Sequence, residues 1–598
     1  MSATEYRKLV VIVWLTVIAS MAAIWGPKAW AGGSWDTDDF MRLIQVRDWL
    51  GGQAWSDLTQ YRLNPPGGTT MHWSRLPDLP LAAVTLAVSP FVPMNDALAV
   101  AGMILPPFYF LVFIVIYSRP ARLMLGGARS PVGLLVVIAG SAMVTQFAPG
   151  RVDHHGLQLI MVMAATALLL LGLARERWRR MIALAGIPIG LSIWIGLEMI
   201  ALIAAWFAAL GLIWCRSGGP LAKQGAIAAG IAALIGVLVL LTSVASAHRW
   251  VAACDAISIM PVGVLALVSG GFALMHLAQR WARTPATRLL VGGLCGGVVA
   301  AIFSMRFPQC LAGPYTNLDP EIVRWWLSNV PEALPLSAQF RTQPFGAIDK
   351  LWIPLLGLAY CLWRYARAGG RGRNLWGALA IMLAASTPLI FWQIRATFGA
   401  HVVALIPLAA LIAEVWQRVG GGFGPRWRRL AILLPVLFVG SAVFWPALEK
   451  GYRIASALMP RKPTGIVMLL HDCTTRDDFP VLAEVPPTNT LAYIDIGPIL
   501  LFSTGNSVLG GPYHRNQAGL KATLDLFRSA DDAWIREQLR TLGIGLIATC
   551  PGPEDMVMYR TDNRSGLAER LAAGWVPAYL SEIPDPAHPG FRFYRVSQ

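Results

Sequence analysis

Asp153, His154 and His155 lie in a loop of about eight residues between two apolar stretches, 131–147 and 156–174, each long enough to cross a bilayer. Ionisable groups at a membrane surface are costly to desolvate, so a cluster of them marks a functional site by default. Other acids fall in comparable places: Asp36, Asp38 and Asp39 after the first apolar stretch, and Glu332 in a long loop after the ninth. Carboxylates beside imidazoles can hold a divalent cation, and a guanidinium such as Arg395 binds oxyanions bidentately. Together they offer positive charge where a departing phosphate develops negative charge. Each also has a plainer role. Asp36 to Asp39 can cap the following helix, which favours acids at its N-terminus. Asp153 and the histidines can form an ordinary polar loop, and Arg395 can snorkel from a helix end. Glu198 either lines the same cavity or packs, His401 can assist Arg395, and His276 reads as structural.

These residues need many membrane helices to position them. The 598 residues are 56% hydrophobic and only 14% charged, and a mean hydropathy of +0.54 excludes a soluble or disordered chain. Thirteen spans are expected, near 9–27, 101–118, 131–148, 156–174, 181–197, 198–215, 225–245, 258–279, 288–305, 351–364, 375–392, 400–417 and 430–447. Basic residues concentrate in every second loop, for example Arg119, Arg122 and Arg129, then Arg175, Arg177, Arg179 and Arg180. Such loops face the cytoplasm, so the N-terminus is expected inside and the C-terminus outside. The net charge of +16 belongs to those loops, since the tail from 460 onward is slightly acidic, and it does not point to nucleic acid. The first apolar stretch is expected to stay as an anchor rather than be cleaved as a signal peptide. Absence of an internal repeat disfavours an inverted-repeat transporter.

Three segments are too long to be connectors: 28–100, 306–350 and 450–598. In the first, Phe40, Leu43, Ile44 and Leu50 at helical spacing, ended by Gly51 and Gly52, predict an amphipathic helix lying on the outer surface. The apolar run 79–94 is short and flanked by proline, which predicts a re-entrant or surface-lying piece. The tail alternates strand-like runs, Leu491–Ile494, Ile544–Thr549 and Phe591–Val596, with helical ones such as 531–542, for which Ser529 is a candidate N-cap. The expected division is a membrane part, 1–449, and an extracytoplasmic α/β domain, 450–598. No Cys-x-x-Cys pattern is present, and Cys473 and Cys550 are a candidate disulfide.

With these features in place, the chain resembles the catalytic subunit of oligosaccharyltransferase, in the C-type (GT-C) glycosyltransferase superfamily. Trp35-Asp36 leading to Arg42 is similar to that family's first acidic motif, with Asp36 in the catalytic place and Asp38 and Asp39 as alternative registers. Pro66-Gly67 followed by His72-Trp73 and Leu76-Pro77-Asp78 looks like its Pro-Gly…His-Trp segment. Asp153-His154-His155-Gly156 matches the second acidic motif with an imidazole replacing a carboxylate, which favours Mn²⁺ over Mg²⁺. Ser328-Asn329-Val330-Pro331-Glu332 resembles the loop that carries the family's glutamate, and Arg395 its phosphate-binding arginine. In the tail, Ala492-Tyr493-Ile494-Asp495-Ile496-Gly497 keeps Asp-x-Gly but lacks the tryptophan pair that holds an asparagine acceptor. Tyr513, His514 and Arg515 stand nearby as candidate acceptor or donor contacts.

The resemblance implies a polytopic helical glycosyltransferase of the bacterial inner membrane that moves a sugar or oligosaccharide from a polyprenyl phosphate or diphosphate carrier in the membrane. The acceptor, a glycan, lipid or protein, would be met on the periplasmic side. It implies a cation on Asp36, Asp38, Asp153 and His155, donor phosphate on Arg395 with His401, and acceptor activation by Asp36, Asp38 and Glu332. Asp39, Arg42, His72, His154, Asp495, Tyr513, His514 and Arg515 would support them. Single-sugar transfer to a lipid or envelope polysaccharide is the alternative on the same scaffold. A flippase for lipid-linked glycans is the rival of another class, and acids gathered at one face rather than the bilayer midplane argue against it.

Overall fold

The computed structural model describes residues 2–597 apart from 31–35, 128, 316, 420–443, 458–478, 484, 551–555 and 586–589. Trp35, Cys473 and residues 430–443 of the expected span 430–447 therefore lie outside the described residues, and the last four residues of that span open the helix Phe444–Ala457. Among the described residues, 11 helices are long and apolar enough to cross a membrane, at the places that hydropathy indicates. The protein is an integral membrane protein. The helix Ile394–Arg418 lies at the centre of the bundle, with 83% of its apolar window buried, whereas Pro285–Arg306 has none buried and stands at the periphery. The residues that follow Gln393 therefore start a helix enclosed by its neighbours.

The stretch 131–148, expected as one span, is instead a chain of short pieces, Ser130–Val136, Val137–Ala139, Ser141–Val144 and Thr145–Phe147. Gly140, at φ −85° and ψ 61°, leaves helical geometry and interrupts the run. The pieces still run back along the helix Met94–Leu125. The Tyr117 hydroxyl donates to the Gly133 carbonyl at 3.0 Å, and the Gly150 amide to the Gly102 carbonyl at 3.0 Å. This return delivers Arg151 to His155 to the end of the bundle where the helix Met94–Leu125 begins.

The helix Thr37–Leu50 departs from its amphipathic pattern. Asp36 and Asp39 close a capping box at its start, as acids there predict, but every residue from Asp39 to Val46 is buried. The helix is enclosed rather than surface-lying because its polar residues find partners inside. Arg42 donates to the Ser74 carbonyl at 3.1 Å and to Asp78 at 3.0 Å. Gln45 donates to the other Asp78 oxygen at 2.9 Å, which Arg75 also approaches at 3.4 Å. Breaking a buried pair of this kind costs about 3–5 kcal/mol, since the remaining charge has no water. On another side Arg47 donates to the carbonyls of Leu501 and Phe502 in the tail, at 3.1 and 2.9 Å. The following helix, Asp78–Val88, has 11 residues, about 16 Å of rise, so it is too short to span, as expected.

Short strands β1 (Thr59–Gln60) and β2 (Thr69–Thr70) pair in the first long loop. The tail contains β3 (Asn489–Ala492), β4 (Ser507–Val508), β5 (Ile544–Thr549), β6 (Leu580–Ile583) and β7 (Arg592–Val596) in one mixed sheet of order β4-β3-β5-β7-β6. β3 runs parallel to β4 and β5, and β7 antiparallel to β5 and β6. The first loop continues this sheet: Leu63 bridges to Val508, and the Asn64 amide donates to the Val508 carbonyl at 2.7 Å. The helix Asp532–Thr541 is capped by Asp531, not Ser529. Asp531 accepts the Ala533 and Trp534 amides at 3.0 Å, while Ser529 accepts the Asp531 amide one step earlier.

A disulfide that spacing did not indicate joins Cys254 to Cys310, and Cys550 is also disulfide-bonded. Cys215, Cys295 and Cys361 are free thiols within the bundle.

Candidate active site

Asp36, Asp39 and Asp153 converge on one cation, Arg151. Its Nη1 lies 3.3 Å from Asp36 and 3.3 Å from Asp39, and its Nη2 lies 3.5 Å from Asp153. Asp39 is turned inward, accepting the backbone amides of Val152 and Asp153 at 2.9 Å each. Burial pushes its carboxyl up to about 6 although Arg151 opposes the shift. Asp38 faces the same space: burial first, then the charges of Asp36, Asp153 and Glu332, push its carboxyl well above the usual range. Four carboxylates from three separate segments are therefore close enough to repel one another.

Asp153 is held the other way. Burial opposes its ionisation, but His154, His155 and Arg151 outweigh that and keep it well below the usual range. Its Oδ1 accepts the backbone amide of His154 at 2.7 Å and the His154 ring at 2.5 Å. The other side of that ring meets Glu198 at 3.0 Å, and Gln158 donates to Glu198 at 2.7 Å. Against the cost of burial, the two flanking carboxylates push the imidazole up to about 10, so it is a cation at neutral pH. Glu198 is thus part of the cluster rather than mere packing. His155 Nε2 stands 3.3 Å from Asp153 Oδ2.

Arg395 enters from the start of the central helix, and its Nη2 lies 3.6 Å from Glu332. Asp38, Glu198 and Tyr315 are within its electrostatic reach. No protein-family model and no curated protein matches the sequence. The three-dimensional comparison is decisive for the fold. The chain is similar to the archaeal oligosaccharyltransferase AglB from Archaeoglobus fulgidus, in complex with an inhibitory peptide and a dolichol-phosphate, at TM-score 0.67 and 14% identity over 100% of this chain and 75% of that one. The Archaeoglobus fulgidus oligosaccharyltransferase tethered to an acceptor peptide containing the NVT sequon gives 0.66 and 14%, over 100% and 74%. Its complex with Zn and sulfate gives 0.63 and 14%, over 99% and 73%. The protein has the oligosaccharyltransferase fold.

On that fold several expected residues fall apart from the cluster. His401 is fully buried, and its Nε2 meets the Lys350 carbonyl at 3.1 Å, so it ties two helices together rather than facing Arg395. Arg42 is fully buried on Asp78 with its guanidinium 4.7 Å from the Trp73 ring, a supporting position. Tyr513, by contrast, stays beside the cluster: it lies edge-on to Trp73, donates weakly to the Thr37 carbonyl at 3.4 Å, and feels the charges of Asp38 and Asp36 ahead of those of Asp495, just past β3, and Asp153. His514 and Arg515 both bind Asp255, at 2.7 and 2.8 Å, and the His72 ring lies tilted against that of His514, centroids 4.6 Å apart.

The expected cation fits the chemistry of the donor set. Asp153 Oδ2 and His155 Nδ1 are buried atoms without a hydrogen-bond partner, which a metal could satisfy. Among the described residues, however, the group whose donor atoms all lie within 4.8 Å of one another is His72, Asp255 and His514, not the expected four. Between Asp36 and Asp153 stands Arg151. Neither Arg151 nor Asp255 belongs to a recognisable motif in the sequence. Their only local signals are adjacency, Arg151 to the Asp153 motif and Asp255 to Cys254.

Proposed function

We propose that the protein is a membrane glycosyltransferase that takes a sugar or oligosaccharide from a polyprenyl phosphate or diphosphate and transfers it to an acceptor at the extracytoplasmic face. What supports the reading best is the meeting of Asp36, Asp38, Asp153 and Glu332 with Arg151 and Arg395 at one end of the bundle, on a fold shared with an enzyme solved with dolichol-phosphate. In this reading residues 1–449 bind the carrier and perform transfer, and 450–598 helps to hold the acceptor. Two disulfide-bonded segments accord with an oxidising compartment, the periplasm of a bacterial cell.

The acceptor attacks the anomeric carbon, the bond from that carbon to the phosphate oxygen breaks, and the electron pair leaves on phosphate. Arg395 receives the oxyanion bidentately, which releases Glu332 from its ion pair. Glu332 and Asp36, with Asp38 as the alternative register, then orient the acceptor and take its proton. A divalent cation held by Asp153 and His155 with Asp36 or Asp38, Mn²⁺ before Mg²⁺ because an imidazole is among the ligands, would supply charge at the departing phosphate. His154, kept cationic by Asp153 and Glu198, adds to that field.

A second reading, transfer of a single sugar to a lipid or envelope polysaccharide, is favoured by the Ala492–Gly497 stretch, which has no tryptophan pair for an asparagine acceptor. Purified protein given monophosphate-linked sugar and diphosphate-linked oligosaccharide in parallel separates the two. Asp153→Ala should abolish transfer from whichever donor is used with expression unchanged, and should melt lower because it removes the buried partner of Arg151 and His154. Full activity in that variant removes the site assignment.

A further inference from the structure

We propose a second metal site, made by His72, Asp255 and His514, of the kind Zn²⁺ fills. Their donor atoms all lie within 4.8 Å of one another, and they come from three separate segments: the first long loop, the 244–258 loop and the tail. Two imidazoles and one carboxylate are a borderline donor set suited to Zn²⁺ or Co²⁺ and poor for Mg²⁺ or Ca²⁺. A second observation points to a ligand as well. His72 Nδ1 is buried without a hydrogen-bond partner, which is uncommon for a group that costs free energy to leave unpaired.

Three features hold the set in place. Asp255 follows Cys254, which the disulfide to Cys310 anchors. Arg515 grips the carboxylate at 2.8 Å through both Nε and Nη2, which fixes its plane. The rings of His72 and His514 lie tilted against each other, with Tyr315 edge-on to His514. Metal sites rely on such outer partners to orient their ligands. His514 also lines a cavity of about 380 Å³ with Thr69, Thr70, Asn317, Arg515 and Gln517. Three protein ligands, one of them at the wall of a cavity, are the plan of a site that keeps an exchangeable position. The imidazoles bring no charge and Asp255 is shared with Arg515, so the ion's charge is balanced from that side, by hydroxide or another oxyanion. Binding breaks the His514–Asp255 hydrogen bond and replaces it with two bonds to one ion. The ion joins the tail to both loops and so sets where the tail stands over the acids.

The test uses full-length protein in detergent, stripped by chelator and titrated with Co²⁺ alone, without donor or acceptor, so it is independent of the proposed transfer reaction. Protein carrying Asp153→Asn and His155→Gln should still bind about one equivalent with the visible bands of a four-coordinate N/O site. Adding His514→Gln should remove both the equivalent and the bands. In otherwise wild-type protein, His72→Gln and His514→Gln should each lower bound cobalt by about one equivalent, and Zn²⁺ should raise the melting temperature of wild type but not of these variants. Unchanged cobalt stoichiometry in His514→Gln, or no cobalt bound once Asp153 and His155 are replaced, overturns the proposal.

Discussion

Arg151→Ala should be among the most damaging single changes outside the packed core. The guanidinium stands 3.3, 3.3 and 3.5 Å from Asp36, Asp39 and Asp153, and at an effective dielectric of about 20 each contact is worth about 5 kcal/mol of gross attraction. Desolvation of the ions removes most of that, and deleting one partner of a buried pair costs about 3–5 kcal/mol net. A melting temperature lower by on the order of 10 °C follows, if 1 kcal/mol shifts a large domain by about 2–4 °C. Arg151→Lys keeps the charge but loses the fork, and should recover only part of the loss. The pH dependence gives a sharper check. Burial places the Asp39 carboxyl at about 6 with Arg151 present. Its folded value lies above the ordinary 3.8, so the folded state binds its proton more tightly and stability falls as pH rises from about 3.8 through 6. Without Arg151 that window extends further upward. Thermal melting of both proteins from pH 5 to pH 8 should show a gap that is small in acid and widens as pH rises. A gap that stays constant across this range refutes the claim that the acids destabilise one another without the cation.

Glu198→Gln weakens a charge-assisted bond to His154 of 3.0 Å, worth about 1.5–3 kcal/mol or about one to two pH units. His154 is pushed up to about 10, so its stabilisation is complete below about 6.5 and lost as pH rises through about 10. In the variant the loss should still start at about 6.5 but be complete about one to two units earlier, with the histidine NMR midpoint lowered by as much, and melting curves that stay parallel from about pH 7 to 10 would count against the bridge from His154 to Glu198. Asp78→Ala leaves Arg42, Arg75 and Gln45 without their shared acceptor, and should cost about 3–5 kcal/mol, read by melting, while Leu79→Ala beside it should cost little. Cys254→Ser opens a loop of 56 residues, which on a chain-entropy scale lowers stability by about 4 kcal/mol. Thiol labelling of unreduced, denatured protein should modify Cys215, Cys295 and Cys361 but neither Cys254 nor Cys310.

Hydropathy locates the spans because a bilayer demands about 20 apolar residues wherever the chain crosses, and it misses the break at Gly140 because a helix enclosed by neighbours tolerates interruption. The Asp153 motif and Arg395 are legible for a related reason: charged side chains at span ends have few places to go. The register among Asp36, Asp38 and Asp39 is not legible. Successive residues of a helix turn by about 100°, so these acids point in different directions, and only the packed structure assigns Asp39 to the backbone of Val152 and Asp153 and Asp38 to Glu332. The enclosed helix Thr37–Leu50 defeats periodicity in the same way. Arg42 and Gln45 give it a polar face that predicts water, yet that face meets Asp78, some 36 residues away from Arg42. Polar patterning reports that a partner is needed, and whether the partner is solvent or protein depends on residues far along the chain. Arg151 and Asp255 follow the same rule: each is one charged residue in a loop until the acids of one and the histidines and arginine of the other arrive from elsewhere. The part of a site carried by a local motif can be found from its residues, and the part made by long-range pairing needs the fold.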